Sequence, residues 1–234
     1  FLKAIEYKNS VESISLILYP EDSFEDGKKL RLKQEYFFVS AGLQSIIKNY
    51  KNSNKDLKEF YKQIAIHIND THPTLAIPEL MRILVDEEDL PWEVAWRVTT
   101  NTISYTNHTI LAEALEKWPI EMLKGILPRI YMIVEEINER YCKELWNKYQ
   151  GDWKRISDMS IIADGYIKMA HLAIVGSHSV NGVAKLHTEI LKNSEMKNFN
   201  EFYPEKFNNK TNGISHRRWL LKIKKELTDL LIEN

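Results

Sequence analysis

An alternating strand pattern that stops in a polar elbow constrains the fold of this chain more than any other stretch. Within Gln63–Ile68 every second residue is an isoleucine, and β-branched residues at this period are typical of a strand. The polar run Asn69–His72 follows, and from Leu75 onward the apolar residues recur at helical spacing. Asp70 and His72 are therefore predicted at the carboxyl end of a strand, where open α/β sheets hold ligands.

The elbow also has a plain structural interpretation. In it, Asn69 and Asp70 only turn the chain, and Thr71 caps the following helix. A second polar cluster favours the functional interpretation, because Tyr105–His108 follows another predicted strand, Thr99–Thr106. The two clusters are about 36 residues apart, which suits a strand–helix–strand unit. Parallel strands would bring both clusters to the same edge of the sheet.

Composition limits the possible partners. The 234 residues carry a net charge of −1, which argues against nucleic acid and against an anionic membrane surface as partners. The single cysteine, Cys142, excludes a disulfide framework and fits a reducing compartment, so a cytoplasmic location is expected. No signal peptide or apolar run long enough to span a bilayer is evident. The chain begins at Phe1 rather than Met, and we expect it to be a piece of a longer protein.

Common catalytic motifs are missing from the sequence. The 8 glycines never form a phosphate-binding loop or a dinucleotide fingerprint, and the serine-hydrolase elbow is absent. The 7 histidines never fall at the spacing of a metal site, so none is predicted. His171 and His187 lie on apolar helix stripes and are expected to be core histidines. What remains is a set of polar groups suited to hydrogen bonding a hydroxyl-rich ligand.

Periodicity predicts helix over most of the rest of the chain. Glu116–Gln150 is expected to be mostly helical. Ile167–Gly176 is interpreted as a buried helix that leads into a short strand at His178–Val183. The alternative, a strand followed by a loop, stays open. His67 is expected on the opposite sheet face to the isoleucines beside it, pointing into the sheet. The aromatic stretch Phe199–Phe207 is expected to be irregular.

Five motifs occur in order along essentially the whole chain. They are Ile68–Arg82, Tyr105–Thr109, Glu113–Pro119, Met169–Ala184 and Asn209–Gly213. Together they resemble the glycogen/maltodextrin phosphorylase family. The resemblance implies a helix-rich α/β fold, a Rossmann-like parallel sheet of the GT-B type flanked by many helices and incomplete as a domain.

The resemblance also implies an activity. The family transfers a glucosyl unit from an α-1,4-glucan to inorganic phosphate and forms glucose 1-phosphate, in a cleft between two domains. In the family, a lysine of the C-terminal domain holds the cofactor, pyridoxal phosphate. The resemblance implies that this domain is missing here, together with that lysine and the basic residues that bind the substrate phosphate. The fragment alone is therefore expected to be inactive and to bind no cofactor. The alternative is a non-catalytic sugar-binding or assembly module.

The family's organisation divides the chain into four parts. Residues 1–20 resemble a helix that contacts the partner subunit of a homodimer, and residues 21–27 resemble an active-site gate loop. Residues 28–213 match part of the N-terminal Rossmann-like domain. Residues 214–234 match the start of the crossover to the missing C-terminal domain.

Site residues are carried over position by position. His108 matches the histidine whose side chain holds the glucose 6-hydroxyl and whose carbonyl faces the positive charge developing at C1. Asn212 matches an asparagine that shares this hydroxyl, and Asp70 and His72 match polar residues on the acceptor side. The remaining substrate-binding matches are the wall residues Ala114 and Val183 and the gate residues Asp22 and Phe24.

The chain departs from the family at three places. Ser23 replaces an asparagine that many members place near the glucose, so loop contacts to the sugar are not carried over. Lys48-Asn49 stands where regulated animal members have paired arginines, which predicts no nucleotide activation. Ser215-His216 replaces a common Thr-Pro, and His216 is assigned no role.

Overall fold

A computed structural model describes residues 2–53, 55–111 and 114–233. Phe1 and Asn234, the ends of two predicted segments, and Glu113, the first residue of one motif, lie outside the described residues. The helices are α1 (Leu2–Leu16), α2 (Glu25–Lys51), α3 (Ala76–Arg82), α4 (Trp92–Thr102), α5 (Ile120–Ile126), α6 (Pro128–Lys148), α7 (Trp153–Met159), α8 (Met169–Val175), α9 (Lys185–Ile190), α10 (Lys197–Phe202), α11 (His216–Ile223) and α12 (Lys225–Glu233). A 3-10 helix spans Leu57–Lys62, and π-helical turns at Ile83–Glu87 and Leu191–Glu195 extend α3 and α9. The strands are β1 (Ile66–Asn69), β2 (Ile103–Thr106), β3 (Lys117–Pro119), β4 (Ile162–Ala163), β5 (Tyr166–Lys168), β6 (Ser179–Gly182) and β7 (Phe207–Asn209).

The central layer is a parallel sheet with the strand order β1-β2-β6-β7. Strand β1 pairs with β2 in parallel, with Ile66 opposite Ile103. The predicted strand–helix–strand unit with parallel strands is therefore confirmed, and so is the helix-rich α/β class. Strands β6 and β7 continue the sheet in the same direction. A smaller antiparallel sheet has the strand order β3-β5-β4. Its three strands come between α4 and α8 in the sequence.

The two faces of the parallel sheet differ in polarity. The apolar face packs into the core and presents the fully buried row Ile68, Tyr105, Val180 and Phe207. The next row along the strands is polar and consists of Asn69, Thr106, Asn181 and Asn208. Side chains alternate between faces in a strand, so His67 shares the polar face, as predicted. The expectation that it points into the sheet is wrong, because His67 is exposed and bonds to the Thr106 hydroxyl.

Several helices bury apolar side chains in the same core as the sheet. Helix α8 buries nearly every residue, and α6 buries seven, spaced at helical intervals from Ile130 to Leu145. Helix α3 packs against α2, α4 and α6. Burying one such aliphatic side chain contributes roughly 1.5–3 kcal/mol. Helix α1, by contrast, has no buried residue. Every helix within the described part of the chain is too short or too polar to cross a membrane.

Helix α4 corrects the predicted second strand. Thr99–Thr102 was expected to be extended, but α4 continues through it and β2 begins only at Ile103. The Thr102 hydroxyl donates to the Val98 carbonyl at 2.7 Å, inside the preceding turn. Thr102 is buried on the same face of α4 as Ala95, Val98 and Thr99, so its hydroxyl is satisfied inside the helix. Helical packing therefore overrides the strand preference of the β-branched residues.

Three further boundaries differ from the predictions. The irregular stretch expected at Phe199–Phe207 contains the end of α10 and the start of β7. Part of the predicted helix Glu116–Gln150 is strand β3, which pairs with β5. Helix α2 begins at Glu25, so the last three residues of the segment 21–27, which was expected to be a loop, are helical. In the first two cases a partner strand from a distant part of the chain supplies the hydrogen bonds, and no local pattern reports it.

Candidate functional site

The carboxyl ends of the four parallel strands lie at one edge of the sheet. The last residues of these strands are Asn69, Thr106, Gly182 and Asn209. Backbone hydrogen bonds continue past them and join the following loops. They run from the N–H of Asp70 to the Thr106 carbonyl, from Asn107 to Asn181 and from Asn212 to Val183, each at 2.9 Å. Asp70, Val183 and Asn212 therefore share one rim with the residue that precedes His108.

His108 extends from this rim and is exposed. Its Nε2 lies 2.6 Å from the Asn69 side-chain oxygen, which can only accept, so the ring donates from Nε2. In the neutral ring, Nδ1 is then the acceptor. Among the described residues none donates a hydrogen bond to the His108 carbonyl. The residue thus presents two acceptors at the carboxyl edge, one on the ring and one on the backbone.

The elbow after β1 is built around a left-handed residue. Asp70 has φ of 61°, a conformation that aspartate tolerates better than most residues, and its carboxylate accepts from the Thr71 N–H at 2.7 Å. Thr71 is buried and does not cap the next helix, because the N-cap of α3 is Leu75 and has no side-chain cap bond. The interpretation of Thr71 as a cap is therefore wrong, and Asn69 bonds across the strands rather than only turning the chain.

A chain of hydrogen bonds behind the rim fixes the loop that carries His108. The Val183 N–H donates to His187 Nδ1 at 3.0 Å, so His187 carries its proton on Nε2. That nitrogen lies 3.0 Å from the Asn107 side-chain oxygen, and the Asn107 amide donates to the Tyr105 hydroxyl at 3.1 Å. Burial and the nearby His108 lower the pKa of His187, which favours this neutral form.

His187 corrects one prediction and His171 confirms another. His171 is a core histidine, as expected. Its Nδ1 lies 2.9 Å from the Ser160 carbonyl, and burial lowers the pKa of its ring to about 4. His187 was expected in the core but is half-buried at the rim. The one feature of the sequence that could have indicated this place is that His187 lies four residues after Val183, in the first turn of the helix that follows β6.

The loop before α2 is held by Arg31, which lines a cavity beside the elbow. The Arg31 guanidinium bonds the Asp22 carboxylate at 3.1 Å. Arg31, Tyr19 and His72 line one cavity of about 200 Å³. Asp22 therefore bonds an arginine that lines the same cavity as His72. A Cβ on Gly27 would lie 1.7 Å from the Glu21 carbonyl oxygen, so only glycine allows the loop to fold this closely onto α2.

Two predicted site residues have weaker ties to the rim. Phe24 is 70% exposed and is the N-cap residue of α2. Ala114 is exposed, and its N–H donates to the Leu111 carbonyl at 3.0 Å within its own loop. The structure therefore joins Asp70, His108, Val183 and Asn212 in one rim and leaves these two beyond its hydrogen bonds.

The lysines present do not fit a pyridoxal phosphate site at the rim. Such a site needs a lysine of lowered pKa in an enclosed position beside the substrate. Burial lowers the pKa of Lys206 to about 8, but this residue precedes β7, at the opposite edge of the sheet. Its ammonium donates to the carbonyls of Ile174 and Val175 at 3.0 and 3.1 Å. Lys210 lies at the carboxyl edge and is exposed.

Hydrogen-bonding groups, rather than a cluster of metal ligands, line the described part of the rim. Within residues 2–53, 55–111 and 114–233, no three histidine, cysteine, aspartate or glutamate side chains come together as a group that could hold a metal ion. What the rim offers is hydrogen-bonding groups: an imidazole, a carboxylate, amides and a backbone carbonyl. These groups match the hydroxyls of a sugar.

Comparison with known proteins gives consistent matches. A family model described as carbohydrate phosphorylase matches residues 1–234. Glycogen phosphorylase of Bacillus subtilis is 60% identical over 229 residues, which are 98% of this chain and 29% of the relative. Glycogen phosphorylase 2 of Dictyostelium discoideum is 52% identical, covering 99% of this chain and 24% of the relative. The human muscle form is 49% identical, covering 100% and 29%. The chain therefore spans less than a third of the length of these relatives.

Proposed function

Because the chain belongs to the carbohydrate phosphorylase family, we propose that it is a segment of an α-1,4-glucan phosphorylase and supplies the glucose-binding wall. The full-length enzyme would transfer the terminal glucosyl unit of glycogen or maltodextrin to inorganic phosphate and give glucose 1-phosphate. The observation that carries this proposal is the rim in which His108, Asp70, Val183 and Asn212 share one edge of the parallel sheet.

In the proposed mechanism, His108 acts through two atoms. Its ring Nδ1 accepts the glucose 6-hydroxyl, while its carbonyl dipole points at C1 and stabilises the positive charge of the transition state. The bond from Nε2 to Asn69 would hold the ring in place. The His187–Asn107 chain would do the same for the loop backbone. Among the described residues, no N–H donates to the His108 carbonyl, so its dipole would be available to the substrate.

The other rim residues would shape the site. Asn212 would share the 6-hydroxyl with His108, and Val183 would form an apolar wall. Asp70 and His72 would contact the acceptor glucan. The remaining proposed contacts are a wall at Ala114 and a gate loop bearing Asp22 and Phe24.

The proposal extends to the cofactor and the assembly. Pyridoxal phosphate would be bound by a domain outside this chain and would supply phosphate acid–base chemistry there. Residues 1–20 would contact a partner subunit, which is supported by α1, a helix with no buried residue. Residues 21–27 would form the gate, 28–213 part of the N-terminal domain and 214–234 the crossover. Exposed apolar side chains of α11 and α12, such as Trp219 at 60% exposure, support the crossover assignment. The proposed location is the cytoplasm.

Shared binding of the 6-hydroxyl gives a prediction for Asn212. Asn212→Ala in the full-length protein should lower kcat/KM for maltodextrin phosphorolysis by about tenfold, the cost of one lost hydrogen bond to a substrate hydroxyl. A maltooligosaccharide with a 6-deoxyglucose at its non-reducing end should be a poor substrate for the wild type. In Asn212→Ala, the loss of kcat/KM caused by removing the 6-hydroxyl should be smaller than in the wild type, because the amide that binds this hydroxyl is already absent.

The control for this cycle is Asn193→Ala. Asn193 is an exposed asparagine that bonds Glu189 away from the rim. Asn193→Ala should leave kcat/KM unchanged for both the maltodextrin and the 6-deoxy substrate. Equal 6-deoxy penalties in wild type and Asn212→Ala would remove Asn212 from the hydroxyl site.

The separation of parts gives a second prediction. The purified chain should release no glucose 1-phosphate from maltodextrin and phosphate, because the proposed cofactor and phosphate sites lie outside it. The full-length protein should release it and show pyridoxal-phosphate absorbance. A measurable rate from the chain alone would contradict the division. Glucan binding by a full-length protein without the absorbance or the product would instead support a non-catalytic sugar-binding module.

A further inference from the structure

A buried ionic cluster ties the loop before α2 to the segment before β3. The Arg31 guanidinium forms ion pairs with Glu35 at 3.2 Å, Glu116 at 3.1 Å and Asp22 at 3.1 Å. The side chains of Glu35 and Glu116 are only 10% and 11% exposed, while that of Asp22 is 51% exposed. One guanidinium therefore faces two interior carboxyl groups on one side and a loop carboxylate on the other.

The charges of this cluster do not balance if both glutamates are ionised. A single arginine would then face two buried negative charges, and an uncompensated buried charge is costly. The second oxygens, Glu35 Oε2 and Glu116 Oε2, are both buried and lack a partner among the described residues. Both carboxyl groups bind the same guanidinium, Glu35 at Nε and Glu116 at Nη2, so they lie side by side. One proton shared between them would remove the excess charge and give the pair a hydrogen-bond donor.

We propose that Glu35 and Glu116 share one proton and that, with Arg31, they form a positioning cluster that anchors Asp22 and the loop of residues 21–24. The inference rests on the proposed function in one respect, that this loop borders the active site. With the shared proton, the pair and Arg31 are together neutral, and Asp22 binds the guanidinium without opposition. Without it, the cluster becomes negative and repels Asp22.

The surroundings of Glu35 support this arrangement. Burial, and after it the adjacent carboxyl group of Glu116, raise the pKa of Glu35 to about 9, against the opposing effect of Arg31. The other titratable groups that face the cavity are Tyr19, from the loop, and His72, from the elbow after β1. Loss of the Glu35 proton is therefore expected near pH 9.

The stability consequence has a definite sign. A carboxyl whose pKa is raised in the folded state binds more protons there than in the unfolded state, between pH 4.5 and about 9. Its contribution to stability is therefore lost as pH rises through this window. Glu35→Gln keeps a hydrogen-bond donor toward Glu116 and removes the titration. In the full-length protein, the amides of α2 should be less protected from hydrogen exchange at pH 9 than at pH 6 in the wild type, and equally protected in the variant.

Glu79→Gln is the matched control. Glu79 is a fully buried glutamate with four hydrogen bonds from Tyr36, Ser40 and Arg82. The same chemical change should lower protection there at every pH. Equal losses for Glu35→Gln and Glu79→Gln would mean that Glu35 is an ordinary ionised partner of Arg31, and would overturn the proposal.

Anchoring of the loop is tested separately. Exchange in a peptide that covers residues 19–28 should rise about tenfold between pH 8 and pH 10 in the wild type after correction for the intrinsic rate. It should stay flat in Glu35→Gln and be high at every pH in Arg31→Met. A flat wild-type profile, or an Arg31→Met loop as protected as the wild type, would overturn the anchor.

Activity distinguishes this inference from the proposed function. If the loop gates the site, KM for maltodextrin should rise with pH in the wild type and less in Glu35→Gln, with kcat changed equally in both. If the full-length protein makes no glucose 1-phosphate, the proposed function fails while the exchange results still decide the cluster. If the exchange results hold and the two KM profiles are the same, the cluster anchors a loop that does not border the site, and the positioning role is overturned.

Discussion

His108→Ala in the full-length protein is expected to lower kcat/KM for glucan phosphorolysis by about 10-fold to 1000-fold, or about 1.4–4 kcal/mol of transition-state stabilisation. The substitution removes the ring that would hold the glucose 6-hydroxyl and keeps the backbone carbonyl. A misplaced glucosyl unit would also lose alignment with that carbonyl. The effect should therefore appear in kcat as well as in KM.

Two variants separate this role from a structural one. Asn69→Ala removes the 2.6 Å bond to His108 and keeps the ring, so it should cost much less than His108→Ala. His178→Ala alters an exposed histidine just before β6, at the opposite edge of the sheet, and should leave kcat/KM unchanged. An unchanged rate for His108→Ala would remove this residue from the site. Equal losses of kcat/KM for Asn69→Ala and His108→Ala would mean that the His108 ring only links β1 to the loop after β2 and does not bind the substrate.

Glu79→Gln is expected to cost about 3–5 kcal/mol of local stability, the range for removing one partner of a buried ion pair. Tyr36 and Ser40 of α2 donate to the two Glu79 oxygens at 2.9 and 2.7 Å, and Arg82 donates to both at 2.8 and 2.9 Å. In all four hydrogen bonds the Glu79 carboxylate is the acceptor. An amide group would turn donors toward donors and leave Arg82 without its buried counter-charge.

The measurement is the opening free energy of α3 amides by native-state hydrogen exchange, since α3 packs between α2 and α6. Glu59→Gln is the control, because the Glu59–Lys62 pair is about half exposed and such pairs contribute roughly 0–1 kcal/mol. A Glu79→Gln effect as small as that of Glu59→Gln would show that this buried network does not join α2 to α3.

Local pattern was sufficient for the elements on which the site is built. Alternating isoleucines and the polar elbow predict β1 and its carboxyl end, and the second cluster predicts parallel pairing with β2, which the register confirms. Both inferences depend on neighbours in sequence, because side-chain alternation and chain direction are local properties of a strand. They place Asp70 and His108 at one sheet edge from the sequence alone.

Pairing between distant segments could not be predicted in this way. Strand β7 is only three residues long and becomes a strand because β6 supplies its hydrogen bonds. Its aromatic neighbours gave no periodic pattern, since Phe199, Phe202 and Tyr203 pack around Tyr141 of α6 rather than on a regular stripe. The position of Asn212 beside Val183 follows from that pairing alone.

The sequence by itself determined the α/β class, the two strand ends and, through its motifs, the family. Only the tertiary structure decided that His187 lies behind the site, bonded to Asn107 at a separation of 80 residues, and that Glu116 meets Arg31 across 85 residues. A periodic pattern records how one residue follows another. Hydrogen bonding, burial and the resulting protonation are relations between side chains that become neighbours only when the chain has folded.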